Sequence, residues 1–194
     1  MTSVKQQPLS VEAGPALDDQ ARSDYDKGKQ FLEGHDPTQA AASFHNALKG
    51  FEEAGDEEGI ARAVDRLGDL CLTRGEIDRA GAYFDRARTI CERQKDNLSL
   101  MVVQKKLALV RRSQKRYDEA VQLYLDLLDR YQKYRNPDGA VRILGDLAAL
   151  FLEQGDRTKA AEALRTAAAI HGNFKHRRHA EALLARAAEV EAGK

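Results

Sequence analysis

The sequence has no tryptophan, only two cysteines and only four prolines in 194 residues. Val, Ile and Thr together number 20, too few to furnish a sheet. The longest clear apolar run, Leu147-Ala148-Ala149-Leu150-Phe151-Leu152, is six residues. A transmembrane helix needs about 20, so none is expected. The first 16 residues hold one Lys, two Pro and no apolar core, unlike a secretory signal. The expected location is therefore cytoplasmic, where the glycosylation-like Asn97-Leu98-Ser99 carries no meaning. Two cysteines make no disulfide framework. Cys71 and Cys91 fall late in successive antiparallel helices, roughly 15 Å apart along the axis at 1.5 Å per residue. Both are expected as reduced, small core residues. Charge of either sign is not in excess: Lys+Arg and Asp+Glu each number 31. That balance argues against a general nucleic-acid or membrane-surface binder.

What is present is a helical composition. Ala, Glu, Lys, Leu and Arg supply 97 residues, half the chain. They fall into a 40-residue period. Ala40, Ala80, Ala120 and Ala160 stand 40 apart. Four residues on come Phe44, Phe84, Tyr124 and Leu164, then Ala47, Ala87, Leu127 and Ala167. Twelve residues before each alanine is a small residue: Gly28, Gly68, Ala108 and Ala148. Leu67, Leu107 and Leu147 precede three of these, with Lys27 departing in the first repeat. Gly or Ala at a close helix crossing leaves room for the opposing backbone, and the large residue fills the space beside it.

Each period reads as two helices. In the second, Ile60, Val64, Leu67 and Cys71 form one stripe, Gly75-Glu76 breaks it, and Ile77, Ala80, Phe84, Ala87 and Cys91 form another. Similar punctuation recurs at Gly34-His35-Asp36-Pro37, Asp96-Asn97, Lys115-Arg116, Asn136-Pro137 and Gly155-Asp156. Asp36 and Asn136, each followed by Pro, suit an N-cap with Pro at the first helical position. The sequence Leu67-Gly68, Gly75, Ala80, Phe84, Ala87 resembles the tetratricopeptide repeat, in a variety with a 40-residue rather than the usual 34-residue period. Longer-helix repeats of this kind occur in G-protein-signalling adaptors and bacterial regulators. The HEAT and armadillo families have a suitable period, but no proline recurs within the first helices here. The resemblance implies an all-α fold: an α-α superhelix (solenoid) of four tetratricopeptide-like hairpins plus a C-terminal capping helix. Residues 1–16 are expected to be a disordered tail, and 17–194 the repeat domain. Its repeats fall at about 21–55, 56–95, 96–135 and 136–172, with the cap helix at 174–191. Leu183, Leu184, Ala187 and Val190 form that helix's apolar stripe.

No catalytic motif is present: no glycine-rich phosphate loop, no Gly-x-Ser-x-Gly, no His-Glu-x-x-His. The chain is expected to be no enzyme and to carry no cofactor. His171, His176 and His179 cluster near the last helix, but Lys175, Arg177 and Arg178 beside them repel a metal cation. The basic turns Arg111–Arg116 and Lys175–His179 lack the exposed aromatics that nucleic-acid sites use, because the aromatics mostly fill packing columns. Arg111 stands where other repeats place Phe31, Cys71 and Phe151. Either its stem packs while its head reaches solvent, or the third repeat is locally re-registered.

The resemblance implies a non-catalytic scaffold holding a partner's peptide or helix on the concave face lined by the first helices. The family's carboxylate clamp is not matched, because Lys29 and Arg66 occupy its asparagine positions. By family register the groove receives Arg62, Arg66 and Asp69, then Lys105, Lys106 and Leu109, then Arg142 and Asp146. Five of the eight are basic, which suits a protein partner with Asp or Glu along it and an apolar anchor near Leu72 or Leu109. No nucleic acid and no membrane partner is expected. The alternative is a self-assembling scaffold. Residues 1–97 carry a net −6 and residues 98–194 a net +6, which suits salt-sensitive head-to-tail association.

Overall fold

In the computed structural model, residues 13–193 are described. They form nine helices: α1 (Ala13–Glu33), α2 (Pro37–Ala54), α3 (Glu57–Thr73), α4 (Ile77–Gln94), α5 (Asn97–Ser113), α6 (Tyr117–Lys133), α7 (Pro137–Glu153), α8 (Arg157–Asn173) and α9 (Arg177–Ala192). No strand occurs among the described residues. Helix α1 begins at Ala13, inside the segment expected as a tail, and the remainder of that segment lies outside the described residues.

One turn chemistry sets the spacing. His35, Gly55, Gly75, Lys95, Lys115, Arg135, Gly155 and Lys175 all have left-handed backbone, with φ between 51° and 78°, and stand 20 residues apart. The residue after each returns its N–H to a carbonyl five residues back: Asp36 to Phe31 at 2.8 Å, Asp56 to Phe51 at 2.9 Å, and so on to His176 with His171 at 2.9 Å. This closure satisfies carbonyls that a helix end leaves without partners. The same post-turn residue often starts the next helix. Asp36, Asp56, Asp96, Asn136 and Asp156 accept from first-turn amides, whereas Arg116 and His176 make no side-chain cap bond. Pro37 and Pro137 sit just inside their helices, as the sequence predicts.

The chain divides between Glu76 and Ile77 into two compact units. In the first, α2 packs on both α1 and α3. In the second, each helix from α4 to α9 packs on the next. Within each unit the short turns make successive helices antiparallel neighbours, and contacts of this near-neighbour kind define repeat architectures. The small column Gly28, Gly68, Ala108 and Ala148 is buried, as are Phe44, Phe84, Tyr124 and Leu164. A Cβ at Gly28 would stand 2.6 Å from the Phe44 ring. A second pairing of this type joins Phe51 to Gly59 and Tyr131 to Gly139, where a Cβ would lie 2.4 and 2.3 Å from the rings. Both cysteines are buried, and neither is in a disulfide.

Helix α9 docks by Ala187 and Val190, with Leu183 half-buried. Leu184 is 50% exposed and so is not part of the docked stripe. At 100° per residue it lies well round the helix from Val190, too far for one narrow α8 contact to cover both.

Two substitutions separate these constraints. Gly28→Val drives methyls into Phe44 and should cost about 1–3 kcal/mol. Lys115→Gly removes a Cβ from a left-handed position and should stabilise by up to about 1 kcal/mol. Chemical denaturation midpoints of the two variants, shifting in opposite directions, check both.

Candidate protein-binding site

On α3, Arg62 and Arg66 converge on the buried Tyr25 of α1. The Arg62 guanidinium lies 4.8 Å from the ring centroid, and Arg66 Nε donates to the phenol oxygen at 3.4 Å. Arg62 also lies 3.6 Å from Glu58, and Arg66 3.8 Å from Asp69. Both side chains stay 44% exposed, yet each lies against the buried Tyr25 of the first unit. The cause is Tyr25, an aromatic on a column that elsewhere holds Asp65, Lys105 and Gly145. Its flat face and hydroxyl give guanidinium groups both a cation–π and a hydrogen-bonding partner.

In the second unit, α5 presents a different surface. Leu98 is 72% exposed, Val102 54% and Leu109 40%. With Met101, Tyr131 and Tyr134 they line a groove of about 450 Å³ that also receives Lys105 and Lys106. Lys106 Nζ lies 5.3 Å from the Phe84 ring centroid, so its ammonium already meets an aromatic face at the edge of the groove. The groove gathers three of the expected residues, Lys105, Lys106 and Leu109. Arg142 is exposed and Asp146 half-buried on α7, and neither lines it. Leu72 is half-buried.

Comparison across the repeats marks the α5 surface as unusual. The column holding Leu98 carries Asp18, Glu58 and Asp138 in the other first helices, and the Val102 column carries Arg22, Arg62 and Arg142. Asp18–Arg22 and Glu58–Arg62 are i,i+4 ion pairs at 2.8 and 3.6 Å. In α5 the solvent-facing acid–arginine pair is replaced by two aliphatic side chains left in water. Burial in the core does not explain them, and grouped exposed apolar surface marks interaction sites. Sequence reasoning missed Leu98 and Val102 although this column comparison was available, because α5 is apolar on a second face too, through Leu100, Val103, Leu107 and Val110.

The basic turn after α5 is not an open cationic patch. Arg111 is 8% exposed, and its guanidinium meets Asp85 at 2.6 Å and Glu119 at 3.2 Å. Its head is thus paired inside the protein rather than in solvent, and α5 keeps the register of the other first helices. Gly81, in a column of Ala41, Val121 and Ala161, leaves the space: a Cβ there would stand 3.3 Å from Arg111 Nη1. Arg112 grips Glu153 of α7 with two hydrogen bonds, one of 2.9 Å, and Arg116 holds Glu119. That bidentate bond holds the Glu153 carboxyl below the usual carboxylate range. At the other basic turn, His171 Nδ1 lies 3.3 Å from His176 Nδ1, and the His171 and His179 ring centroids are 5.2 Å apart. Among the described residues no group of three or more His, Cys, Asp or Glu is placed to hold a metal ion. Two aromatics do leave the packing columns: Tyr134 and Phe174, at turns, are 50% and 54% exposed.

Burial pushes the Asp146 carboxyl up, against the opposing pull of Lys105 and Arg112. No group donates a hydrogen bond to its buried Oδ2 among the described residues. Burial, followed by the Asp146 charge, pushes Tyr124 up to about 12. A raised folded-state pKa means the fold favours the protonated acid. Asp146 then contributes most stability at low pH, and that contribution is lost as pH rises through its folded value. Asp146→Asn should therefore raise stability at pH 7, and the advantage should shrink as pH falls toward about 4. Denaturation of both proteins across that range is the check.

Two family sequence models match the chain: one described as soluble NSF attachment protein, over residues 12–134, and one as tetratricopeptide repeat, over residues 99–172. No curated protein matches it in sequence. Among solved structures, the TPR-like repeats of a kinesin light chain-like protein from Podospora anserina give a TM-score of 0.74 at 16% identity, covering 95% of this chain and 91% of that one. BtubC (BKLC) from P. vanneervenii gives 0.52 at 15%, over 92% of each chain. A Rap protein complexed with competence and sporulation factor gives 0.57 at 15%, over 89% of this chain and 52% of that one. At such identities the likeness is one of fold: all-α, a helical solenoid of repeats. No described helix is long and apolar enough to cross a membrane.

Proposed function

The chain belongs to the soluble NSF attachment protein family, whose model matches residues 12–134, and is a tetratricopeptide-repeat protein, matched over residues 99–172, and on that premise we propose that it is a non-catalytic adaptor whose α5 groove holds a segment of a partner protein. Folds of this kind serve in general as protein–protein interaction scaffolds, and the Rap structure is of a complex with a factor. The observation that carries the reading is the exposed Leu98–Val102–Leu109 stripe, where neighbouring repeats keep a charged pair. The groove suits a segment with an apolar anchor between the two tyrosines and the stripe. Lys105 and Lys106 favour Asp or Glu flanking that anchor. Arg62, Arg66 and Asp69 would serve such a partner less directly, since Tyr25 already engages the two arginines. A cytoplasmic location fits this role.

The test converts α5 to the pattern of its neighbours. Leu98→Glu with Val102→Arg installs an i,i+4 pair on an exposed face, so helicity and melting temperature should hold. Affinity for the partner recovered with the wild-type protein should fall by roughly 2 kcal/mol or more if these residues anchor it. Lys105→Glu should mainly slow association, and do so less at high salt. Calorimetry and stopped-flow with that partner decide. Unchanged affinity in the folded double variant places the binding surface elsewhere.

A further inference from the structure

Helix α9 carries a hairpin face with nothing on it among the described residues. Its Ala188 continues the small column of Gly28, Gly68, Ala108 and Ala148, and its Leu184 continues that of Val64, Gln104 and Leu144. All seven of those residues are buried, and Asp24, the first repeat's member of the Leu184 column, is half-buried. In the first hairpin the cover is an antiparallel helix, α2, whose Phe44 ring would lie 2.6 Å from a Cβ at Gly28. On α9, Ala188 is exposed and Leu184 is 50% exposed, while the helix docks through Ala187 and Val190 instead.

The open face reads Arg177, Glu181, Leu184, Ala188 and Glu191, at helical spacings of four and three. It is self-complementary in one orientation. A two-fold axis at Leu184 sets residues seven before it against residues seven after it. Arg177 then meets Glu191 of the other copy at both ends, with leucine against leucine at the centre. A parallel pairing would oppose arginine to arginine and glutamate to glutamate. Arg177 makes no ion pair among the described residues. Glu191 Oε2 holds Arg165, and a carboxylate has capacity for a second donor. Ala188 permits close approach of two helices, as the small column does within the hairpins.

We propose that α9 is a self-association surface, on which α9 of a second copy packs antiparallel to form a closed dimer. Two-fold symmetry is the commonest way for a chain to close on itself, and it requires this kind of self-complementary patch. A helix of 16 residues spans only about 24 Å. One helix-to-helix contact of that length lies at the low end of interface sizes, so the dimer is a weak one. This proposal is independent of the α5 groove, which lies on a different helix.

Sedimentation velocity of the full chain from about 10 to about 500 μM should show reversible monomer–dimer exchange that goes no further. Leu184→Asp places two like charges at the centre and removes the apolar contact. It should weaken association by at least about tenfold while leaving helicity and melting unchanged. Because both native cysteines are buried, Leu184→Cys should give a disulfide-linked dimer on mild oxidation. Glu181→Cys mixed with Ala188→Cys should cross-link to each other faster than either does alone. A monomer at the highest concentration overturns the proposal, as does a dimer that Leu184→Asp leaves intact. Faster linking of Glu181→Cys to itself overturns the antiparallel order. Open-ended, salt-sensitive oligomers point instead to the acidic half of one copy meeting the basic half of the next, and equally overturn it.

Discussion

The left-handed residue that ends each helix is the constraint on which the rest depends. It recurs every 20 residues from His35 to Lys175, and the bond that follows it, as from Asp96 to Cys91 at 2.9 Å, closes each helix at that beat. Helices of similar length joined by equivalent turns let each residue type recur at the equivalent place in its hairpin. Only then can a glycine such as Gly28 meet an aromatic such as Phe44 across one hairpin while the column of small residues stays buried in the next. Five of the eight positions hold Lys, Arg or His rather than Gly, at a backbone cost of order 1 kcal/mol each. The fold carries that strain because the turn is held at once by the helix-closing bonds and, at five of the turns, by the Asp or Asn cap of the next helix.

That substitution pattern also explains what was legible in the sequence. The 40-residue period was readable, because Ala40, Ala80, Ala120 and Ala160 and the residues beside them are buried and chemically constrained. The caps at Asp36 and Asn136 were readable, because acid or amide before proline has one mechanical use. The underlying 20-residue beat was not, because a lysine in left-handed backbone looks like any surface lysine. The partner of Arg111 was hidden for another reason. Asp85 lies 26 residues away on a different helix, and no local spacing links them. Once Arg111 is seen to be paired, the glycine at position 81 becomes intelligible as room for a guanidinium.

The candidate site shows the same division. Lys105, Lys106 and Leu109, which line the groove, were among the eight residues expected from the sequence, with an anchor expected near Leu72 or Leu109. Leu98 and Val102 were not anticipated, since α5 has apolar residues on two faces and a single periodic stripe absorbs attention. A column-by-column comparison resolves the ambiguity. In a repeat protein the other repeats act as internal controls, and they show what a position needs for folding alone. Where three first helices keep an acid and an arginine in water and the fourth keeps Leu98 and Val102, folding does not account for the difference.

The same reasoning applies to charge. The chain carries equal numbers of basic and acidic residues, yet what a partner meets depends on which are already engaged. Arg111 and Arg116 share Glu119, Arg112 holds Glu153, and Arg62 lies over Tyr25. Most of the arginines that a count would assign to binding therefore stabilise the repeats. Lys105 differs in that its charge borders an apolar groove, with Lys106, whose ammonium lies over Phe84, beside it. A point charge on a flexible stem steers an approaching carboxylate without dictating one geometry, and the neighbouring aliphatic stripe supplies area that must leave water for any gain to be realised. Long-range attraction and short-range burial thus reside on the same helix, α5, where the repeat pattern is broken.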